Sequence, residues 1–189
     1  MAEHVCPVWV GYLLASPIRR WFHDPGKILG PHVRLGVIAL DVGPGLGFFS
    51  IPLARMVGPG GRVICVDVQQ AMLDRLDKRA RARGVSDRIE LRLCEDGSFG
   101  ITDLDDRVDF ALAFAVVHEM REPGSFFDAT FRALRAGAKL LVAEPKNHVS
   151  IEAFAETAHA ATGAGFVAVA PPRISRSHVL LLEKPGRRR

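Results

Sequence analysis

The sequence has few cysteines, no membrane-length apolar run and no biased composition, and each absence narrows what it can be. Cys6, Cys65 and Cys94 are the three cysteines of the 189-residue chain. Their odd number and wide spacing exclude a disulfide framework and a paired-cysteine metal knuckle. Small buried hydrophobes in a reducing compartment are the expectation. The apolar stretch VCPVWVGYLLA, residues 5–15, falls short of the about 20 residues that a spanning helix needs. The opening MAEH supplies no basic segment, and no small-residue cleavage site follows. A cytoplasmic location without a membrane span is therefore expected. Repeats and low-complexity linkers are also missing. With 48% hydrophobic and 24% charged residues, the chain is of ordinary globular composition, and its length suits one domain. The net charge is +4, and the terminal GRRR alone carries three positive charges. That block reads as a solvated basic tail, residues 186–189.

Residues 1–35 read as short helical pieces covering a larger domain. Ser16-Pro17 and Asp24-Pro25 each put a capping side chain before a proline, which suits a helix start. Tyr12, Arg19, Arg20, Trp21 and His23 make this cover aromatic and basic. From Val37 the pattern becomes regular, and residues 36–185 read as the main domain. Apolar strand-like runs at 37–42, 62–68, 88–94, 108–117 and 139–145 alternate with amphipathic helical stretches at 48–58, 69–84 and 125–136. Ser125 reads as the cap of the last of these and Gly137 as its stop. Ser150 reads as the cap of a further helix to about Thr162. Two strands, 165–171 and 177–184, close the chain with no helix between them. The order predicts an α/β fold: a doubly wound, mostly parallel seven-stranded sheet with helices on both faces and an antiparallel C-terminal hairpin strand.

The glycines of DVGPGLGFFS, residues 41–50, follow the first strand and precede a helix. Ligands of doubly wound sheets bind at that edge. Asp67 ends the second strand, where a carboxylate can take two ribose hydroxyls, with a cap of the following helix as the alternative. The string GxxxxGK[ST] is missing, which excludes a P-loop. The dinucleotide spacing GxGxxG fails from Gly43 and nearly fits from Gly45, so spacing leaves NAD open. Charge discriminates better. Asp41 would lie close to a pyrophosphate placed in this turn, and like charges in a partly dry site are costly. Pro44 removes one N–H from the cradle. A ligand with cationic groups and no phosphate, such as S-adenosylmethionine, suits the turn.

DVGPGLG resembles the D/ExGxGxG signature of class I S-adenosylmethionine-dependent methyltransferases, with Asp67 at their acidic position, and the resemblance covers residues 36–184. It implies that Gly43, Pro44, Gly45 and Gly47 pass beneath the methionine part of the cofactor, with Asp41 near its amino group. Asp67 would hold the ribose. Val68 and Gln69 would flank the adenine, with Met72 either packing on it or buried in the core. Glu95 or Asp96 would meet the adenine amino group, and Ala115 would lie where the fourth strand passes the cofactor.

Methyl transfer needs an aligned, deprotonated acceptor and no fixed catalytic motif. His118 and Glu119 follow the central strand at the ligand edge, and Glu144 and His148 follow the next one. His118 is the candidate general base, with a loop-shaping role as the alternative. Glu119, Glu144 and His148, together with Tyr12 and Trp21 of the cover, are candidate acceptor contacts, and no metal site is expected. FAVV stands where amino-methylating enzymes of the family carry [DNS]PP[YF], and no cysteine lies there for a cytosine-type nucleophile. The LRAGAKLLVAEP region is loosely similar to arsenite methyltransferases, whose further cysteines are absent. The resemblance therefore implies a small-molecule acceptor. A nucleic-acid or protein methyltransferase, or a non-catalytic module that binds the cofactor, are the alternatives. No aromatic-basic motif supports nucleic acid as a partner, and the oligomeric state is open.

Overall fold

The inner strands of the sheet alternate side chains between two helical layers, so both of their faces are buried. The computed structural model describes residues 23–94 and 99–186. Helix α1 spans Pro25–Leu29. The Asp24 carboxylate accepts from the Gly26 amide at 2.9 Å and so caps it. The elements β1 (Ile38–Val42), α2 (Ser50–Val57), β2 (Arg62–Asp67), α3 (Gln70–Ala82) and β3 (Ile89–Leu93) follow. Next come β4 (Val108–Phe114), α4 (Pro123–Ala133), β5 (Leu134–Pro145), α5 (Ile151–Gly163), β6 (Val167–Val169) and β7 (Ser177–Glu183). The strands form one sheet in the order β3-β2-β1-β4-β5-β7-β6. The pairs from β3 through β5 are parallel. Strand β7 is antiparallel to both β5 and β6, so the closing hairpin inserts its second strand beside β5 and leaves β6 at the edge.

In β1, Ala39 faces a layer that includes Leu53, Val57 and Leu76, while Leu40 and Val42 face Phe126, Phe127 and Ala161 on the other side. Fully burying one such Leu or Phe is worth about 1.5–3 kcal/mol. Asp41 pairs in register with Cys65 of β2 and Leu112 of β4, which places a carboxylate at the centre of the sheet near its carboxyl edge.

Three expected boundaries move. Helix α4 starts at Pro123, whose fixed φ suits a first helical turn, and the Ser125 hydroxyl donates to the Glu122 carbonyl at 2.8 Å instead of capping. The same helix ends at Ala133, before Gly137, because Leu134 already pairs with Val108 as the start of β5. Strand β4 stops at Phe114, three residues short of its apolar run, because Ala115 turns into the left-handed region at φ 57°. Ser150 caps α5 as expected, accepting from the Ala153 amide at 3.2 Å.

Candidate functional site

The turn between β1 and α2 is packed from below and, among the described residues, open above. Asp41 is buried, and its carboxylate accepts from the Ser50 hydroxyl at 2.6 Å. Ser50, the first residue of α2 and fully buried, is a positioning residue that sequence reasoning missed, although it closes the same ten-residue stretch. Gly43 has φ 68°, and a Cβ there would lie 2.4 Å from Cγ2 and 2.9 Å from Cβ of Val116. The turn after β4 is thus wedged directly against the glycine turn. A Cβ on Gly47 would meet Leu76 Cδ1 of α3 at 2.3 Å. Gly45 differs: at φ 52° it has nothing within 4 Å of its Cβ position among the described residues. Pro44 and Leu46 are turned inward and buried. The loop therefore packs on the protein at Gly43 and Gly47 and leaves Gly45 uncovered by the described residues.

Asp67, at the end of β2, is 9% exposed, and its carboxylate accepts from the Gln69 amide at 2.9 Å. Burial pushes its pKa above the usual carboxylate value, against the amides of Gln69, Gly45 and Val68, which favour the charged form. Asp67 and Gly45, expected to share a site, are thus brought together. Val68 is 52% exposed, and Leu93, the register partner of Asp67 on β3, is 53% exposed. Two bare apolar side chains at adjoining strand ends make a surface for a flat apolar group. Leu93 was not singled out from the sequence; its sign was the alternation of β3 carried one residue past the core. Met72 is buried at 3% exposure, in keeping with a core role. Glu95, Asp96, Tyr12 and Trp21 lie outside the described residues.

The turn after β4 holds the second group of expected residues. Ala115 has its amide on the Ala143 carbonyl at 2.7 Å. A non-glycine residue held at positive φ costs of order 1–3 kcal/mol, and such strain concentrates at functional sites. A 3-10 turn, Val117–Glu119, follows. Glu144 is fully buried at the end of β5. One of its oxygens accepts from the amides of Val116 at 3.2 Å and Val117 at 2.8 Å, and the other bonds His118 Nδ1. Glu144 therefore offers no free carboxylate to an acceptor; it holds the turn. The His118 side chain is 28% exposed, with its Nε2 4.0 Å from Glu119 Oε1. The bond to Glu144 is the main cause that raises the His118 pKa above its ordinary value, against partial burial. His148 is exposed, its ring 6.4 Å from that of His118. Among the described residues, no three His, Cys, Asp or Glu side chains converge as a metal site, and no helix is long and apolar enough to cross a membrane.

Residues 35–169 match the model of a family described as methyltransferase domain. The arsenite methyltransferase of Halobacterium salinarum is 32% identical over 109 residues, which are 58% of this chain and 27% of that protein. The tRNA 5-carboxymethoxyuridine methyltransferase of Escherichia coli is 33% identical over 119 residues, 63% of this chain and 44% of that protein. The chain thus spans less than half the length of these curated relatives. A solved S-adenosylmethionine-dependent methyltransferase from Aquifex aeolicus superposes with a TM-score of 0.83, covering 94% of this chain and 98% of that one at 24% identity.

Proposed function

The chain belongs to the S-adenosylmethionine-dependent methyltransferases of the methyltransferase domain family, and from that premise we propose that it transfers the methyl group to a small-molecule acceptor. The observation that carries the reading is Gly45, open above, with the buried carboxylate of Asp67 beside its amide. The residues present fit the cofactor. The turn of Gly43, Pro44, Gly45 and Gly47 would run beneath its methionine part, and Asp41, fixed by Ser50, would add negative charge beneath its ammonium and sulfonium groups. A ribose diol would give the desolvated Asp67 two donors. Val68, Gln69 and Leu93 would border the adenine. When bound, S-adenosylmethionine supplies a methyl carbon activated by the positive sulfur. The chain's own part is to orient the acceptor along the methyl–sulfur axis and to exclude water.

The acceptor class is supported by what the fourth-strand end lacks. FAVV and the following HEM carry neither the [DNS]PP[YF] pattern nor a cysteine. The Halobacterium relative's substrate, by its name, is also small. The Escherichia relative acts on tRNA by its name, and a net charge of +4 permits a polyanion. That reading predicts binding that weakens steeply with salt.

The test is calorimetry with S-adenosylmethionine, S-adenosylhomocysteine and NAD, followed by labelled-methyl transfer to a metabolite panel. Binding of the first two but not NAD is expected. Binding of NAD alone would overturn the cofactor assignment. Transfer to RNA with none to any metabolite would overturn the acceptor class.

A further inference from the structure

We propose that His118 is the general base of the reaction, that Glu144 is its positioning residue, and that the acceptor is therefore one whose attacking oxygen carries its proton at neutral pH, such as a phenol or enol. The proposal rests on the methyl-transfer reading and names the substrate class that this site can serve.

Three observations carry it. A buried carboxylate can only accept hydrogen bonds, so the contact with Glu144 fixes the proton of a neutral His118 on Nδ1. Nε2 is then the lone-pair nitrogen of a ring whose side chain is 28% exposed, and it lies 4.0 Å from Glu119 Oε1, beyond hydrogen-bond reach. Glu144 is committed to the same turn through the Val116 and Val117 amides, so the base, its orienter and its loop form one unit. Finally, Val116, two residues before His118, packs on Gly43. The unit is therefore anchored directly to the glycine turn that would hold the methyl donor.

In the step, the acceptor O–H gives its proton to Nε2 as its oxygen forms a bond to the methyl carbon. The methyl–sulfur bond breaks, and its electron pair stays on sulfur. The products are the methyl ether, a neutral thioether and an imidazolium at His118, which returns its proton to water. Among the described residues, the titratable groups that face His118 are Glu144 from β5, Glu119 from its own turn and His148 from the turn after β5. Both carboxylates stabilise the imidazolium, which helps the proton transfer and moves the working pH upward.

The first test needs no acceptor. Imidazole 15N spectroscopy of the full chain, alone and with S-adenosylhomocysteine, should show neutral His118 protonated on Nδ1 and titrating above an ordinary histidine. Glu144→Gln should lower that pKa and reverse the tautomer, and Glu144→Asp should restore the wild-type tautomer. Neutral His118 protonated on Nε2 in the wild type would overturn the proposal, and this holds even where the Gln variant fails to fold. The second test follows methyl transfer to phenol and to the more acidic 4-nitrophenol. His118→Gln should lower the rate on phenol by about 10²–10⁴-fold, the usual worth of a general base, and lower it far less on 4-nitrophenol. Equal losses on both, or turnover confined to acceptors with no proton to lose, would refute it. Absence of S-adenosylmethionine binding would instead sink the underlying methyl-transfer reading, and calorimetry separates that case.

Discussion

Replacing Gly45 and Gly43 with alanine, one at a time, separates a glycine kept for a ligand from one kept for the fold. Both have positive φ, at 52° and 68°, so each alanine costs roughly 1–2 kcal/mol of backbone strain. At Gly45 the added Cβ meets nothing within 4 Å among the described residues, and strain is the stability cost. A protein of this size loses about 2–4 °C in Tm per kcal/mol, so Gly45→Ala should lower Tm by roughly 2–8 °C. At Gly43 the Cβ would sit 2.4 Å from Val116 Cγ2 and 2.9 Å from Val116 Cβ. Rotating the valine cannot relieve the second contact, and the Val116 amide is held by Glu144. Overpacking adds about 1–3 kcal/mol. Gly43→Ala should therefore cost roughly 2–5 kcal/mol and lower Tm by about 4–20 °C. Affinity should run the other way. The Gly45 methyl projects into the space assigned to the cofactor, so S-adenosylmethionine should bind at least about tenfold more weakly, or about 1.4 kcal/mol. Thermal melts give the first quantity and calorimetry the second. A well-folded Gly45→Ala protein that binds S-adenosylmethionine as the wild type does would refute the placement of the cofactor.

Asp67→Ala should weaken S-adenosylmethionine binding by about 1.5–3 kcal/mol, roughly 10- to 150-fold, because the lost hydrogen bonds are charge-assisted and shielded; unchanged calorimetric affinity would remove Asp67 from the site. The raised His118 pKa makes a stability prediction: the protonated ring stabilises the fold fully below the unfolded value of about 6.5, and that contribution fades as pH rises through the folded value. Urea midpoints should therefore show the wild type's advantage over His118→Gln shrinking from pH 5.5 to pH 9, and a growing advantage would contradict it. Cys65 is fully buried, and burial together with the charge of Asp41 pushes its thiol pKa well up. Iodoacetamide should label it only after denaturation, as peptide mass spectrometry would reveal; native labelling at the rate of a free thiol would show that the sheet centre opens.

Much of the architecture was legible because the signals are local. The alternation of apolar strands with amphipathic helices, and two terminal strands with no helix between them, determine the sheet and its single reversed strand. Asp41, the glycines and Asp67 stand out because strand ends and turns carry distinctive residue types. The missed boundaries had competing local signals. Ser125 resembles a cap, but Pro123 starts the helix two residues earlier. The apolar run through Val117 resembles strand, but Ala115 leaves it under the tertiary demand of the Val116 wedge and the Glu144 bonds.

The sequence by itself determined the fold class, because periodicity acts between near neighbours, and its resemblance to a known family pointed to the cofactor. Only the tertiary structure decided which glycine is open, what Asp41 bonds, and that Glu144 serves His118. The Glu144–His118 and Gly43–Val116 contacts join residues 26 and 73 positions apart, and burial, which turns a carboxylate from a ligand contact into a support, is a property of the packed chain and not of the string.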